Sequence, residues 1–361
     1  PIKSSAASDV YKRQQTRYPR KIWNGKGAAM KKIKNPMIRR IPKELIGDWK
    51  KYLVVFLFLV LTIGFVSGMY VANESMITSA NEGVTKYKQE DGHFELKKQA
   101  DATLLSAIET GEKADFKATK TTLYENFFRN EEEDYNNDGK KDGTIRVFAK
   151  TKDINLACML QGSFPQKADE IAIDRMHADN VGIKVGDTVT VSGETYKVVG
   201  LLAYANYSTL HEKTTDLMFD ALKFDVAMVT QDGFDRLHKS IHYTYAWKYE
   251  TEPADEAGEK TRSDNFMRAL LTQVVVADNE LEDYTPKYGN PAINFATDDM
   301  GSDKAMGGVL LDILVVIIAF IFAVTISNTI AKESSAIGTL RASGYTKGEL
   351  VRHYLSMPCL L

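Results

Sequence analysis

The stretch "YLVVFLFLVLTIGFVSGMYVAN", Tyr52 to Asn73, holds 22 residues without one charge. At a rise of about 1.5 Å per residue, a helix of that length reaches roughly 33 Å and covers a hydrocarbon core of about 30 Å. Its apolar residues fall on every side, so no polar face is left for water. The run also exceeds the roughly 7–15 apolar residues of a signal peptide, and no small-x-small cleavage site follows. A second run, "ILVVIIAFIFAVTISNTIA" from Ile313 to Ala331, has 19 residues of the same kind. Two membrane spans are the reading.

Charge sets their direction. The chain has 361 residues, a net charge of −2 and 44% hydrophobic residues, an average that hides three regions. Residues 1–51 carry 15 Lys and Arg against Asp9, Glu44 and Asp48. Residues 331–361 carry four basic side chains against two acids, and the segment between carries 27 against 43, a net −16. The first span is preceded by Arg39, Arg40, Lys43, Lys50 and Lys51, whereas the flank after it, up to Tyr87, holds Lys86 alone. Lys332, Arg341, Lys347 and Arg352 follow the second span, against Lys287 and Lys304 before it. Basic flanks stay in the cytoplasm. The sequence therefore predicts a multi-pass protein of the cell membrane with its N-terminus cytoplasmic and residues of about 74–304 extracellular. Membrane lipids are expected partners and nucleic acid is not. Cys158 and Cys359 fall in unlike regions, so no intramolecular disulfide is expected.

The fold class read from this pattern is an integral membrane α-helical protein with a large extracytoplasmic α+β domain inserted between transmembrane helices 1 and 2. Residues 1–29 lack an initiator Met and any apolar period and are read as an artefactual or disordered leader. A cytoplasmic basic segment covers 30–51, the first span 52–73, the outer domain 74–304 and the second span 305–331. A cytoplasmic segment follows at 332–346. Residues 347–361 are read as the start of a third span, cut short in "YLSMPCLL".

Inside the outer domain, "DATLLSAIETG" predicts a short helix with Leu104, Leu105 and Ile108 on one face and Gly111 as its stop. "GTIRVFAK" (Gly143–Lys150) alternates like a half-buried strand, and "YTYAWKYE" (Tyr243–Glu250) is another. "GDTVTVSGETYKVVGLLAY" (Gly186–Tyr204) reads as a β-hairpin turning at Ser-Gly. Some 230 residues are enough for two subdomains.

"DYNNDGKKD" (Asp134–Asp142) is the one metal-like motif recognised. Asp134, Asn136 and Asp138 occupy positions 1, 3 and 5 of a calcium loop, Gly139 gives the sharp turn, and Asp142 stands at position 9. The bidentate Glu expected at position 12 is Ile145. The two readings are a calcium site and a solvated acidic turn before a strand. "HEKTT" (His211–Thr215) lacks the second His of a zinc-protease helix, and no phosphate loop, nucleophile elbow or Cys/His cluster is evident. The chain is therefore not expected to be an enzyme, and no cofactor is expected in it beyond calcium.

After the second span comes "AKESSAIGTLRASGYTKGEL", Ala331 to Leu350. Ser334 or Ser335 is expected to cap a new turn, Ile337 and Leu340 share a face, and Gly344 is expected to end the helix in the left-handed conformation. Thr346 and Glu349 then fit a capping box that restarts the chain as a helix.

These residues resemble the segment after the second span in permeases of the FtsX/MacB type of ABC transporter. Ala336-Ile337-Gly338, Leu340-Arg341-Ala342 and Gly344 match its pattern, with Ala336 where a Glu is usual and Glu333 as its stand-in. "ADEIAIDRMHADNVGIKVGD" and the hairpin are similar to the periplasmic core domain of these permeases, particularly the Gram-positive type, over roughly Met37 to Leu361. The resemblance implies that 332–346 is a coupling helix, with Glu333, Ile337, Gly338, Leu340, Arg341 and Gly344 contacting a separate cytosolic ABC ATPase. ATP would be bound by that partner, and the permease would be dimeric or pseudo-dimeric. The function implied is ATP-driven movement of the outer domain, for export or extraction of a lipid-like, peptide or antibiotic substrate. Two alternatives are an FtsX-like regulator of an external cell-wall hydrolase and a membrane-anchored sensor or adhesin binding calcium or another ligand.

Overall fold

The computed structural model describes residues 40–47, 49–110 and 120–356. The leader, Gly111, Cys359 and the further course of the third apolar run lie outside the described residues. The chain divides into two units, one of residues 61–317 and one of the chain before Leu61 together with that from Ile318 onward.

In chain order the elements are α1 (Arg40–Gly47), α2 (Trp49–Lys86), β1 (Gly92–Leu96), α3 (Ala102–Thr110), β2 (Thr121–Glu125), β3 (Phe128–Asp134), β4 (Gly143–Ala149), β5 (Ala157–Gly162) and β6 (Glu170–Asp174). Then follow α4 (Arg175–Val181), β7 (Thr188–Val191), β8 (Glu194–Tyr204), β9 (Phe224–Val229), α5 (Gln231–Asp235) and β10 (Tyr243–Tyr249). The last are α6 (Glu256–Val276), β11 (Leu281–Pro286), α7 (Pro291–Lys332), α8 (Ser334–Ala342) and α9 (Lys347–Ser356).

Helices α2 and α7 contain the two apolar runs and are long and apolar enough to cross a membrane. Both outrun their apolar stretches. At about 1.5 Å per residue they measure roughly 57 and 63 Å, so the helical residues 74–86 and 291–304 continue each helix toward the domain. Most large side chains of the apolar runs are exposed, such as Leu61, Phe65, Val316 and Phe320. Such a surface suits lipid and not water.

The larger unit holds two subdomains, as the length of the middle region predicts. A four-stranded antiparallel sheet, in the order β11-β1-β10-β2, carries α3 and α6 on one face. Phe94, Tyr245, Trp247, Ile108, Phe266 and Leu270 fill the space between them, all essentially buried. Each such side chain contributes roughly 1.5–3 kcal/mol. The sheet is tight enough that Gly92 is required. Its φ is +155°, and a Cβ there would run into the Trp247 ring and lie 2.8 Å from the Thr285 carbonyl.

The second subdomain is a seven-stranded sheet, β5-β8-β6-β9-β4-β3-β7, in which β7 also pairs with β8. That pairing closes six of the strands into a ring, with β5 added along β8. Ile145, Val147, Ile171, Ile173, Val189, Val191, Tyr196 and Val198 pack together with α4 and α5 residues. The predicted hairpin is present as β7 and β8, turning at Ser192 (φ 48°) and Gly193 (φ 86°). Two positive φ values in a two-residue turn match the right-handed twist of the strands. Strand β9 is buried at all six positions, as a central strand with a parallel neighbour should be.

The strands of the small sheet flank the ring in sequence: β1, α3 and β2 come before it, and β10, α6 and β11 after. Phe127 packs against the cores of both subdomains, and His242 stacks on Phe128 at 4.5 Å.

In the other unit, α7 ends at Lys332 and α8 begins at Ser334. The expected fresh cap by Ser334 or Ser335 is not what forms. Glu333 stands at the N-cap with φ −100° and ψ 14° and makes no side-chain capping bond, while Ile337 N–H donates to its carbonyl at 2.9 Å. Its near-helical backbone lets the chain run from α7 into α8 across a one-residue break. The stop and the restart form as expected. Gly344 has φ 99°, and Tyr345 N–H and Gly344 N–H donate to the carbonyls of Leu340 and Arg341 at 3.2 and 3.1 Å. That is the paired bonding of a Schellman turn. Thr346 N–H donates to Glu349 Oε2 at 2.9 Å and Glu349 N–H to Thr346 Oγ1 at 3.3 Å, closing the capping box.

Candidate functional site

The features that bear on function begin where the long helices meet the folded domain. Five residues separate the end of α2 from β1, and they are clamped. Glu90 is wholly buried: its N–H donates to Asn155 Oδ1 at 3.0 Å, and Asn155 Nδ2 donates to Glu90 Oε2 at 2.6 Å. His93 Nδ1–H donates to Glu90 Oε1 at 2.6 Å. Asn155 and Leu156 N–H donate to the carbonyls of Lys88 and Tyr87, Tyr87 Oη–H to Cys158 Sγ at 2.9 Å, and Gln89 to the Ala205 carbonyl. Burial alone pulls the His93 pKa down, but the Glu90 carboxylate beside it more than reverses this and leaves it raised.

The start of α7 is held in the same manner. Asn290 Oδ1 accepts from Ala292 N–H at 3.0 Å, which caps the helix. Ser208 donates from its N–H and its hydroxyl to the Ala292 carbonyl, 2.8 Å each, and the hydroxyl also lies 2.8 Å from the Ile293 carbonyl. Buried hydrogen bonds of this kind are costly to break singly. Each long helix therefore enters the domain through a fixed joint.

Beside the joints lies a polar cleft of about 190 Å³, bordered by His93, Glu95, Arg146, Tyr207, His211 and Asp283 among others. Arg146 Nη1 donates to Tyr207 Oη at 2.8 Å and Nη2 to the Glu212 carbonyl at 3.1 Å, while its plane lies over Phe128 and Phe224. His242 pairs with Glu95 at 2.6 Å. The volume falls below the roughly 300–1,000 Å³ of small-molecule sites.

The candidate calcium loop brings its four residues together, and the loop's own amides meet their oxygens. Asp134 accepts from Asp138 N–H and Gly139 N–H at 3.1 and 2.8 Å. Asp142 accepts from Tyr135 N–H at 3.1 Å and from Asn136 Nδ2 at 3.2 Å. Asn136 Oδ1 accepts from Asp138 N–H at 2.8 Å, and Asp138 from Lys140 N–H at 2.9 Å. Gly139 has φ 84° and supplies the turn.

Of the residues assigned to ATPase coupling, Gly338, Arg341 and Gly344 are exposed, and Ile337 and Leu340 are half-buried. Glu333 accepts a hydrogen bond from Tyr354 Oη at 2.6 Å, so its charge is used within the chain, against α9.

Sequence reasoning passed over one further cluster. Glu133 on β3, His177 on α4 and Asp225 on β9 are all buried, and one ligand atom from each lies within 4.8 Å of the others. His177 Nδ1–H donates to the Ala221 carbonyl at 2.8 Å, which turns Nε2 toward Glu133 Oε1 at 3.4 Å. Asp225 Oδ1 accepts from Val226 and Asp174 N–H at 2.7 and 3.1 Å. Both Glu133 oxygens, Asp225 Oδ2 and His177 Nε2 have no hydrogen-bond partner among the described residues. Burial holds the Asp225 carboxyl well above the carboxylate range and lifts Asp174 to about 6. Burial opposes the charged form of His177, yet Asp225 and Glu133 raise it to about 9. The trace of this cluster in the sequence is an acid inside the apolar run "FDVAMV" and alternate acids in "FRNEEED".

No protein-family model matches the sequence, and no curated protein does. The likeness lies among solved structures. One is the extracellular domain of the noncanonic ABC-type transporter YknZ from Gram-positive bacteria, at 13% identity and a TM-score of 0.28, covering 53% of this chain and 100% of that one. Another is the periplasmic region of MacB from Actinobacillus actinomycetemcomitans, at 8% identity and a TM-score of 0.29, covering 53% of this chain and 87% of that one.

Proposed function

We propose that the chain is the permease subunit of an ABC transporter, crossing the cell membrane through α2 and α7 with the α+β domain outside. A separate cytosolic ATPase binds at α8, and its ATP-driven closure moves the two long helices and reshapes the outer domain. The protein works as a dimer or pseudo-dimer and exports or extracts a lipid-like, peptide or antibiotic substrate. The observation that carries this reading is the pair of hydrogen-bonded joints, the buried Glu90–Asn155 and the half-buried Ser208–Ala292, which tie both long helices into the domain. A tethered sensor or adhesin needs no such stiffness, since a slack linker serves it equally well. A transmitter of force loses its stroke without it.

The short helix supports the same reading. α8 shows Arg341 to solvent beside a half-buried Ile337–Leu340 ridge, a form that docks in the groove of a partner. In vesicles holding the permease and its cognate ATPase, Leu340→Asp should abolish permease-stimulated ATP hydrolysis while leaving membrane insertion intact. Unchanged stimulation would count against the assignment. For orientation, Leu217 is 92% exposed. Leu217→Cys in a cysteine-free background should react with a membrane-impermeant maleimide on intact cells, and protection until lysis would reverse the topology.

The regulator of an external hydrolase stays as the second reading, since the same joints would serve it. Substrate movement in the vesicles separates the two. Calcium binding at Asp134, Asn136, Asp138 and Asp142 is proposed with it, on the convergence of the four side chains. Calorimetry showing no heat at millimolar calcium would remove it.

A further inference from the structure

We propose that Glu133, His177 and Asp225 form a structural site for a borderline divalent cation, with Zn²⁺ the ion that the donor set fits best. The three ligands come from three elements, β3, α4 and β9, so a bound ion would cross-link one end of the closed sheet to its covering helix.

Three carboxylate oxygens and one imidazole nitrogen face one another with no hydrogen-bond partner among the described residues. Buried polar atoms are rarely left so, because each unpaired group costs about 1–3 kcal/mol and more when charged. Held as carboxylates beside a neutral imidazole, Glu133 and Asp225 would match the charge of one divalent cation.

The spacing leaves room for an ion. A charge-assisted N–H···O bond closes to about 2.7–2.9 Å, whereas His177 Nε2 and Glu133 Oε1 stand 3.4 Å apart. Zinc bonds of about 2.0–2.2 Å in tetrahedral array separate neighbouring ligand atoms by roughly 3.3–3.5 Å. The Nδ1–H bond to the Ala221 carbonyl is the outer-shell contact that fixes a metal-binding histidine in the right tautomer. Calcium is disfavoured here, since it takes 6–8 oxygen ligands and no imidazole. Glu133 also borders an open depression with Asp134, Gly139 and Lys140.

The test uses the full chain in detergent micelles, stripped with chelator and dialysed against Zn²⁺. One equivalent should bind, excess Ca²⁺ should not displace it, and the melting temperature should rise. His177→Gln should weaken the affinity by more than the roughly 10–100-fold lost with a single supporting hydrogen bond. Zinc binding that survives in His177→Gln, or none in the wild type, overturns the site. Should that variant fail to fold, the wild type decides alone. Co²⁺ should give visible ligand-field bands that Zn²⁺ abolishes, and the ¹⁵N shift of His177 Nε2 should become that of a metal-bound nitrogen. An imidazolium protonated at both nitrogens in the presence of Zn²⁺ would mean a plain buried ion pair and sink the proposal.

Discussion

At the scale of single residues, two positions in the joint between α2 and β1 have sharp consequences. Gly92 sits where the backbone takes a positive φ against the face of Trp247. Gly92→Ala adds one methyl and forces the indole out of a core in which it is fully buried. We expect a loss on the order of 2–3 kcal/mol from overpacking and strain, read as a lower melting temperature of the full chain in detergent. His93 is about one quarter exposed and pairs with the buried Glu90. Its folded pKa lies above the unfolded value of about 6.5. The folded state therefore holds the proton more tightly. Its stabilising contribution is fully present below about pH 6.5 and is lost as pH rises through the raised value. The melting temperature should fall from pH 6 toward pH 9 more steeply in the wild type than in His93→Gln. Equal slopes would show that the pair contributes nothing.

At the scale of elements, α8 is defined by its ends. Gly344 takes a φ of 99° that a branched side chain adopts only under strain. Gly344→Val should cost about 1–2 kcal/mol locally and loosen the turn that sets α9 after α8. Faster amide exchange at positions 344 and 345, with the domain unaffected, is the expected result. Much of this segment could be read in the sequence, because a Schellman turn and a capping box are made by neighbours. The start of α8 could not. Serines suggest a cap, but Glu333 is drawn to Tyr354, 21 positions on, and the backbone passes through with little break. The helix Ala102–Thr110 and the Ser192–Gly193 hairpin were legible for the same local reason.

At the scale of the molecule, the proposed permease would pass motion of its long helices to the domain through the two joints. Asn155→Ala would take from Glu90 Oε2 and N–H the partner that Asn155 supplies, at a cost of about 1–3 kcal/mol. If the joint transmits force, the variant should keep ATPase stimulation but lose substrate movement in vesicles. Retention of both would show that the link is only structural. The joint at Ser208 offers an independent check, since Ser208→Ala removes two of the bonds that hold the start of α7.

The sequence by itself determined what depends on neighbours or on bulk composition. Apolar length marked the two long helices, charge gave the expected direction, and turn chemistry placed the hairpin, the Gly344 stop and the acidic loop at Asp134–Asp142. The tertiary structure alone decided the rest. It closed six strands through the pairing of β7 with β8, brought Glu90 to Asn155 across 65 positions and Ser208 to Ala292 across 84. It also buried Glu133, His177 and Asp225 together. Those three carry no local pattern, since each sits on a different element. Only the packing of those elements strips water from all three at once, and that desolvation turns scattered polar residues into a site.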